Sequence, residues 1–169
     1  MAEKKPVLIL IGSDSDLPII QPCLDHLDKF GIGWEIEVTS AHRSPERTRN
    51  IVKSAADRNV NIIIAAAGAA AHLAGVISAE TDIPVIGIPV DSSPLKGIDA
   101  LYSTVQMPAG IPVATMAVGQ AGAANAAVLA ARIIALSDDG IKQKLSAFRK
   151  ELAAKVEEKS AALKNKLKK

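Results

Sequence analysis

Apolar residues along the chain gather into five short runs, each followed by a loop and then by a more polar stretch with helical spacing. The runs are VLILIG (residues 7–12), WEIEVTS (34–40), NIIIAAAG (61–68), PVIGIP (84–89) and IPVATMAV (111–118). Strands alternating with helices imply a parallel sheet, because parallel neighbours need a crossover between them. The first, third, fourth and fifth runs are nearly continuous in apolar residues, the pattern of strands covered on both faces. The second alternates Glu35 and Glu37 with Ile36 and Val38, the pattern of an edge strand.

Between the runs, Leu17, Ile20, Leu24, Leu27 and Phe30 recur at spacings of three and four, and Gly31 follows as a stop, which predicts a helix over about 16–30. Pro45 suits the first position of a second helix, with Ser44 as its cap and Glu46, Arg47 and Arg49 outside. Later helices are expected over about 71–80, 97–106 and 122–136. From Asp138 the pattern becomes a long charged helix carrying one stripe of Ile141, Leu145, Phe148, Leu152 and Val156. A stripe beyond a complete α/β unit needs a surface, supplied either by its own domain or by a neighbouring subunit. Past Glu157 apolar residues thin out and the end is expected to fray. The 169 residues suit one domain, with an α/β unit over 1–137 and an amphipathic C-terminal helix over 138–169.

Composition narrows the chemistry. Apolar residues make up 49% of the chain but aromatics only 2%, so Val, Ile, Leu and Ala must build the core. Phe30, Trp34, Tyr102 and Phe148 are the whole aromatic stock, which argues against single-stranded nucleic-acid binding and against flavin stacking. A single cysteine, Cys23, excludes an intramolecular disulfide framework, and no Cys/His cluster has zinc spacing, so neither a metal nor a cofactor is expected. Cys23 reads as a small packing residue and His26 as a solvated one. Residues 1–6 form neither a signal peptide nor a membrane span, and a cytoplasmic protein is the natural reading. Residues 138–169 carry ten Lys/Arg against five Asp/Glu, and residues 1–137 ten against thirteen. The basic tail mixes its charges as a solvated helix face does, so no nucleic-acid partner is expected.

In an open parallel sheet, ligands sit beyond the carboxyl ends of the strands. Three loops leave those ends with polar or glycine-containing sequence. Gly12-Ser13-Asp14-Ser15-Asp16 joins a glycine and hydroxyls to a helix start, as an anion site would; Asp14 or Ser15 acting only as a helix cap is the simpler alternative. Ser40-Ala41-His42-Arg43-Ser44-Pro45 offers a histidine able to move a proton near neutral pH and an arginine able to grip phosphate or carboxylate. Gly68-Ala69-Ala70-Ala71-His72-Leu73-Ala74-Gly75 would let a flat ligand approach the backbone. His72 lies among apolar neighbours, so a structural role is as good a reading as a catalytic one, and it ranks below His42. The segments 91–97, 106–110 and 120–125 could close a pocket but fit ordinary turn chemistry better.

Together GSDSD, SAHRSP, GAAAHLAG, PVIGIP, VQMPAGIPVAT and GAANAAVLAARI resemble one family, N5-carboxyaminoimidazole ribonucleotide mutase or PurE, from about Val7 to Leu136. The resemblance implies a three-layer flavodoxin-like (Rossmann-type) α/β fold with a five-stranded parallel sheet. It implies an isomerase of purine (IMP) biosynthesis that moves a carboxylate from the exocyclic nitrogen of an aminoimidazole ribonucleotide to ring carbon C4, without ATP, biotin or metal. His42 matches the catalytic histidine, and Ser13, Asp16 and Arg43 match nucleotide-binding residues. Physically, Arg43 and the Ser13 loop suit the phosphate, and Asp16 suits ribose hydroxyls. Gly12, Ser15, Ser40, Gly68, Ala69, Ala70, His72 and Leu73 complete the expected pocket.

The same resemblance implies a homo-octamer, with the C-terminal helix on neighbouring subunits, and a functional link to the ATP-dependent synthase of the carbamate substrate. A sister class carboxylates aminoimidazole ribonucleotide directly; SAHR and the AHL segment look like the mutase class. The chain departs from the usual mutase loop at Ala66, Ala69 and Ala74, where Gly, Gly and Pro are more common. If Ala69 must take a positive φ, its Cβ is uncomfortable. From another class, a receiver of the same topology would need Asp at the end of strand three, where the chain has Ala65-Ala66-Ala67-Gly68. A non-catalytic nucleotide-binding module would share the fold without the chemistry.

Overall fold

A computed structural model describes residues 4–167. The expectation about residues 1–6 therefore falls partly outside the described residues. Five strands, β1 (Val7–Ile11), β2 (Trp34–Val38), β3 (Ile62–Gly68), β4 (Val85–Val90) and β5 (Ala114–Thr115), form one parallel sheet in the order β2-β1-β3-β4-β5. Six α-helices accompany them: α1 (Leu17–Phe30), α2 (Pro45–Ala55), α3 (Leu73–Ser78), α4 (Ile98–Val105), α5 (Gln120–Ile134) and α6 (Asp139–Leu167). The expected flavodoxin-like arrangement is the observed one, and strand order reverses between β1 and β3.

The period of two along each central strand builds the two sides of the core. Val7, Ile9 and Ile11 of β1, with Ile62, Ile64 and Ala66 of β3, pack against Ile20, Leu24 and Leu27 of α1 and the buried alanines of α5. Leu8, Leu10, Ile63 and Ala65 face the other way, onto Val52 and Ala55 of α2 and Leu73, Ala74 and Ile77 of α3. Leu17, read as part of the α1 stripe, is exposed instead; it is the first residue of the helix, beyond the carboxyl end of β1. Pro22 sits inside α1 and cannot donate to the carbonyl of Pro18 four residues back. The side chain of Gln120 donates to that oxygen at 3.3 Å, so α5 satisfies the group that Pro22 leaves open.

β2 is an edge strand as expected; its Glu37 and Glu35 pair with Arg47 of α2 and with Arg58 in the turn beyond it. The fifth run differs from its reading as a strand covered on both faces. It forms the opposite edge, and only Ala114 and Thr115 are strand, with Pro112 just before them lacking an N–H to donate. Ser44 does open α2, yet its hydroxyl does not cap the helix: it accepts from Ser40 N at 3.1 Å and so closes the preceding loop.

α6 folds back on its own domain for the first half of its stripe. Ile141 is buried, Leu145 and Phe148 pack on the core, and Lys144 donates to the Phe30 carbonyl at 2.7 Å, satisfying the end of α1. His26, read as solvated, is half-buried here. Its Nδ1–H donates to Pro22 O at 2.8 Å and its ring meets Phe148 edge-on at 5.6 Å. Glu151, held down to about 2 by hydrogen bonds from Lys29 and then Lys155, ties α6 to α1. Leu152 and Val156 are 48% and 68% exposed, so the second half of the stripe has no cover in this chain. The helix continues to Leu167, about 43 Å in all, rather than fraying past Glu157. Its alanines, lysines and glutamates are strong helix formers, so propensity sustains it without burial; residues 168–169 lie outside the described residues.

Cys23 is buried between α1 and α5, and burial pushes its thiol up to about 12. A thiol reagent at pH 8 should leave the native protein unmodified and react with one equivalent after denaturation. Rapid labelling of the native chain would show that α1 and α5 separate readily.

Candidate active site

The loops after β1, β2 and β3 meet where the strand order reverses, around an open cleft of about 470 Å³. Gly12, Ser13, Ser15, Asp16, Ser40, His42, Arg43, Gly68, Ala69, Ala70, His72 and Leu73 all line it. Thr39, Ala41, Ala67 and Ser92 line it too without having been singled out. Ser92 is the only residue of segment 91–97 to reach the cleft; segments 106–110 and 120–125 do not, and the last of these is no turn but the first part of α5.

After β1 the chain makes a single 3-10 turn, Asp14–Asp16. Ser13, rather than Asp14 or Ser15, is its cap: the Ser13 hydroxyl accepts from Ser15 N at 3.3 Å, and Asp16 accepts from Ser13 N at 3.2 Å. This reciprocal pair consumes two N–H groups that an anion would otherwise use, so the loop offers hydroxyls to a ligand more than backbone donors. Asp16 is only 4% exposed. Burial pushes its carboxyl above the usual aspartate range, the Ser13 N–H bond opposes this, and the charge of Asp14 adds to it.

The loop after β2 is braced from beneath. Thr39 N donates to Ile11 O at 3.0 Å, and its buried hydroxyl meets that of Thr48 at 2.8 Å. Ser44 N donates to Ser40 O at 2.9 Å, and the Ser40 hydroxyl accepts from Arg43 N at 3.2 Å. The serines therefore close a turn that holds His42 and Arg43 at its exposed tip. The guanidinium of Arg43 makes one long contact, 3.5 Å to Gly12 O, and no carboxylate among the described residues pairs with it. An unpaired guanidinium beside two serine hydroxyls is equipped to take a phosphate.

The loop after β3 is tight. A Cβ on Gly68 would lie 1.9 Å from Ser92 Oγ and 3.2 Å from Ser92 Cβ and Val90 O, so a larger residue there requires the Ser92 hydroxyl to turn away and its neighbours to give slightly. Ala69 has φ +51°, in the left-handed region. Ala66 and Ala74 are buried in the core, so Ala69 alone of the three departures shapes the cleft. Ala71, Leu73 and Ala74 turn inward, which leaves His72 pointing out. It is exposed rather than enclosed by apolar neighbours, and its Nδ1 lies 2.7 Å from His42 Nε2 with the rings at 79°. Spacing along the chain carries no sign of this pairing, since thirty residues, with α2 and β3 among them, separate the two histidines. Among the described residues no group of three His, Cys, Asp or Glu is arranged to hold a metal ion, and no helix is long and apolar enough to cross a membrane.

Ala69→Gly should raise stability by about 0.5 kcal/mol, relieving at least about 1 kcal/mol of left-handed strain against a smaller entropic loss in the unfolded chain. Ala74→Gly, in α3 at an ordinary φ, should instead lower it by at least about 0.5 kcal/mol. Denaturant midpoints of the two variants should move in opposite directions.

Comparison with known proteins gives the family. The AIR carboxylase family model matches residues 6–155. A Pyrococcus horikoshii protein named N5-carboxyaminoimidazole ribonucleotide mutase is 48% identical over 164 residues, covering 96% of this chain and 92% of its own. A Vibrio parahaemolyticus protein of the same name is 50% identical over 143 residues, covering 85% and 89%. The crystal structure of a single-substitution variant of Treponema denticola PurE2 superposes with a TM-score of 0.87 at 30% identity, over 96% of this chain and 99% of that one. Treponema denticola PurE gives 0.83 at 33% identity, over 94% and 98%. The chain belongs to the AIR carboxylase family.

Proposed function

We propose that the chain is a mutase of purine biosynthesis, converting N5-carboxyaminoimidazole ribonucleotide to its C4-carboxylated isomer. The meeting of an exposed histidine, an unpaired arginine, the Ser13 hydroxyl and a buried carboxylate in one cleft is the observation that carries this reading. Arg43 and Ser13 take the phosphate, and Asp16 accepts hydrogen bonds from ribose hydroxyls. That leaves the aminoimidazole over the Ala69 loop and beside His42.

His42 then acts twice. As imidazolium it protonates the carbamate nitrogen, whose bond to the carboxyl carbon breaks to release carbon dioxide. The freed amine pushes electron density to C4, which attacks the carbon dioxide; neutral His42 removes the C4 proton and is restored to imidazolium. No proton or electron is gained or lost over the cycle, so one group with an accessible neutral form suffices. Carbon dioxide must be held between the two steps, which requires exclusion of bulk water.

Surface chemistry supports an assembly. Leu152, Val156, Leu163 and Leu167 continue the α6 stripe beyond the domain over residues 138–169, and Ile98, Tyr102 and Val105 leave an apolar face on α4 of the catalytic unit over 1–137. Such faces support a homo-oligomer, the octamer implied by the family resemblance, with α6 on a neighbouring copy. We place the enzyme in the cytoplasm, supplied by the ATP-dependent synthase that makes its unstable carbamate.

Purified protein should form the C4-carboxylated product rapidly from freshly generated carbamate and slowly from aminoimidazole ribonucleotide with bicarbonate. Rapid product only from the second mixture would make it a direct carboxylase, and none from either would leave a binding protein. His42→Asn should lose turnover by at least about a thousandfold while still binding nucleotide. Asp16 must be ionised to accept two hydroxyls. Because burial raises its carboxyl, KM should climb as pH falls, from a pH above the usual aspartate range, and Asp16→Asn should have a raised but flat KM over the same interval.

A further inference from the structure

We infer that His72 is a positioning residue that locks His42 in one tautomer, leaving His42 Nδ1 as the single nitrogen through which the proton is given and taken back. This rests on the reading of His42 as the acid and base of the reaction.

The two facing nitrogens, His42 Nε2 and His72 Nδ1, are 2.7 Å apart. At that separation one carries a proton and the other presents a lone pair, since two N–H groups cannot face each other so closely. As an acid, His42 is protonated on both nitrogens, so its Nε2–H is necessarily the donor and His72 Nδ1 the acceptor. When His42 gives up a proton, loss from Nε2 would leave two lone pairs opposed at 2.7 Å unless His72 also changed its tautomer, whereas loss from Nδ1 keeps the hydrogen bond intact with no rearrangement. Neutral His42 is thus held as the Nε2–H form with its Nδ1 lone pair available. Among the described residues no protein atom hydrogen-bonds His42 Nδ1, so nothing in the chain competes for it.

The backbone of His72 is fixed on both sides: His72 N donates to Ala70 O at 2.8 Å, and His72 O accepts from Val76 N at 2.9 Å. Ala71 and Leu73, on either side, are buried. The main chain that presents the acceptor is therefore held, and the hydrogen bond to His42 sets the His72 ring on it. The proton leaves Nδ1 for the carbamate nitrogen as the bond to the carboxyl carbon breaks, and after C4 has bonded to carbon dioxide the C4 proton returns to the same Nδ1. Without the lock, neutral His42 could settle as the Nδ1–H form, which has no base facing C4. It would then have to exchange tautomers through water that the reaction must exclude.

Asparagine at position 72 can offer Oδ1 where Nδ1 now lies, but it cannot take up and release a proton; alanine offers nothing. His72→Ala should lower kcat by about thirtyfold with KM nearly unchanged, and His72→Asn should recover most of that loss without matching the parent enzyme. Independently of turnover, the ¹⁵N ring resonances of neutral His42 should show Nε2 protonated and Nδ1 bare in the parent protein and in His72→Asn, and a mixture in His72→Ala. If the parent turns over neither substrate, the mutase reading fails and the resonances still decide the tautomer. Asparagine as damaging as alanine would mean that His72 itself moves a proton. That result, an unaltered His72→Ala enzyme, or a His42 tautomer indifferent to residue 72, each overturns the inference.

Discussion

The side-by-side pairing of β1 with β3 is the constraint on which the rest of the molecule depends. Five consecutive pairs, from Val7 with Ile62 to Ile11 with Ala66, set these two strands in register, and Gly12 N continues the ladder to Ala66 O at 2.9 Å. Because β2 lies on the other side of β1, the chain must cross over in opposite senses on leaving β1 and β3. The crossovers part there and leave a crevice that no helix fills. The loops after β1, β2 and β3 then have nowhere else to put their polar groups, and the histidines at positions 42 and 72 come together although no local pattern joins them.

Most of the scaffold was legible because burial writes its period directly into the sequence. VLILI and IIIAAA must be interior strands, since no solvent-facing element tolerates such runs, and the spacing from Ile20 to Phe30 admits only a helix. What escaped detection was decided by neighbours in space. The fifth run is as apolar as the others, yet it lies at the sheet's edge, because apolarity reports that a residue is covered somewhere and not by which chain. His26 carries a polar label, but the arrival of Phe148 from α6 turns its position into a packed one. The helix beyond Glu157 persists on propensity alone, a term that a search for amphipathic stripes does not register.

The site was legible in its residue types and hidden in its hydrogen bonds. All twelve expected positions border the cleft, yet several serve the loop as well as any ligand. Ser13 and Asp16 cap each other, Ser40 accepts from Arg43 N, and Ser44 closes the turn rather than capping its helix. These contacts hold the groups before substrate arrives, which lowers the ordering cost of binding. They also separate two kinds of side chain that look alike in the sequence: those whose polar atoms are spent on the loop, and those, like Arg43, whose atoms remain free.

Strain and exposure tell where the remaining demands lie. Ala69 occupies a backbone conformation that glycine would accept at no cost, and it does so in the loop over which the imidazole is proposed to lie. Gly68, next to it, lies close against the Ser92 side chain. The segment is therefore held tightly at one residue and strained at the next, so the path of the backbone matters more there than the residue that carries it. The cleft itself is open, with both histidines in contact with solvent, whereas the proposed chemistry passes through free carbon dioxide. A single chain in this form does not retain a gas molecule. The proposed chemistry therefore calls for closure, and the apolar faces of α4 and α6, uncovered in this chain, are surfaces that a neighbouring copy would suit.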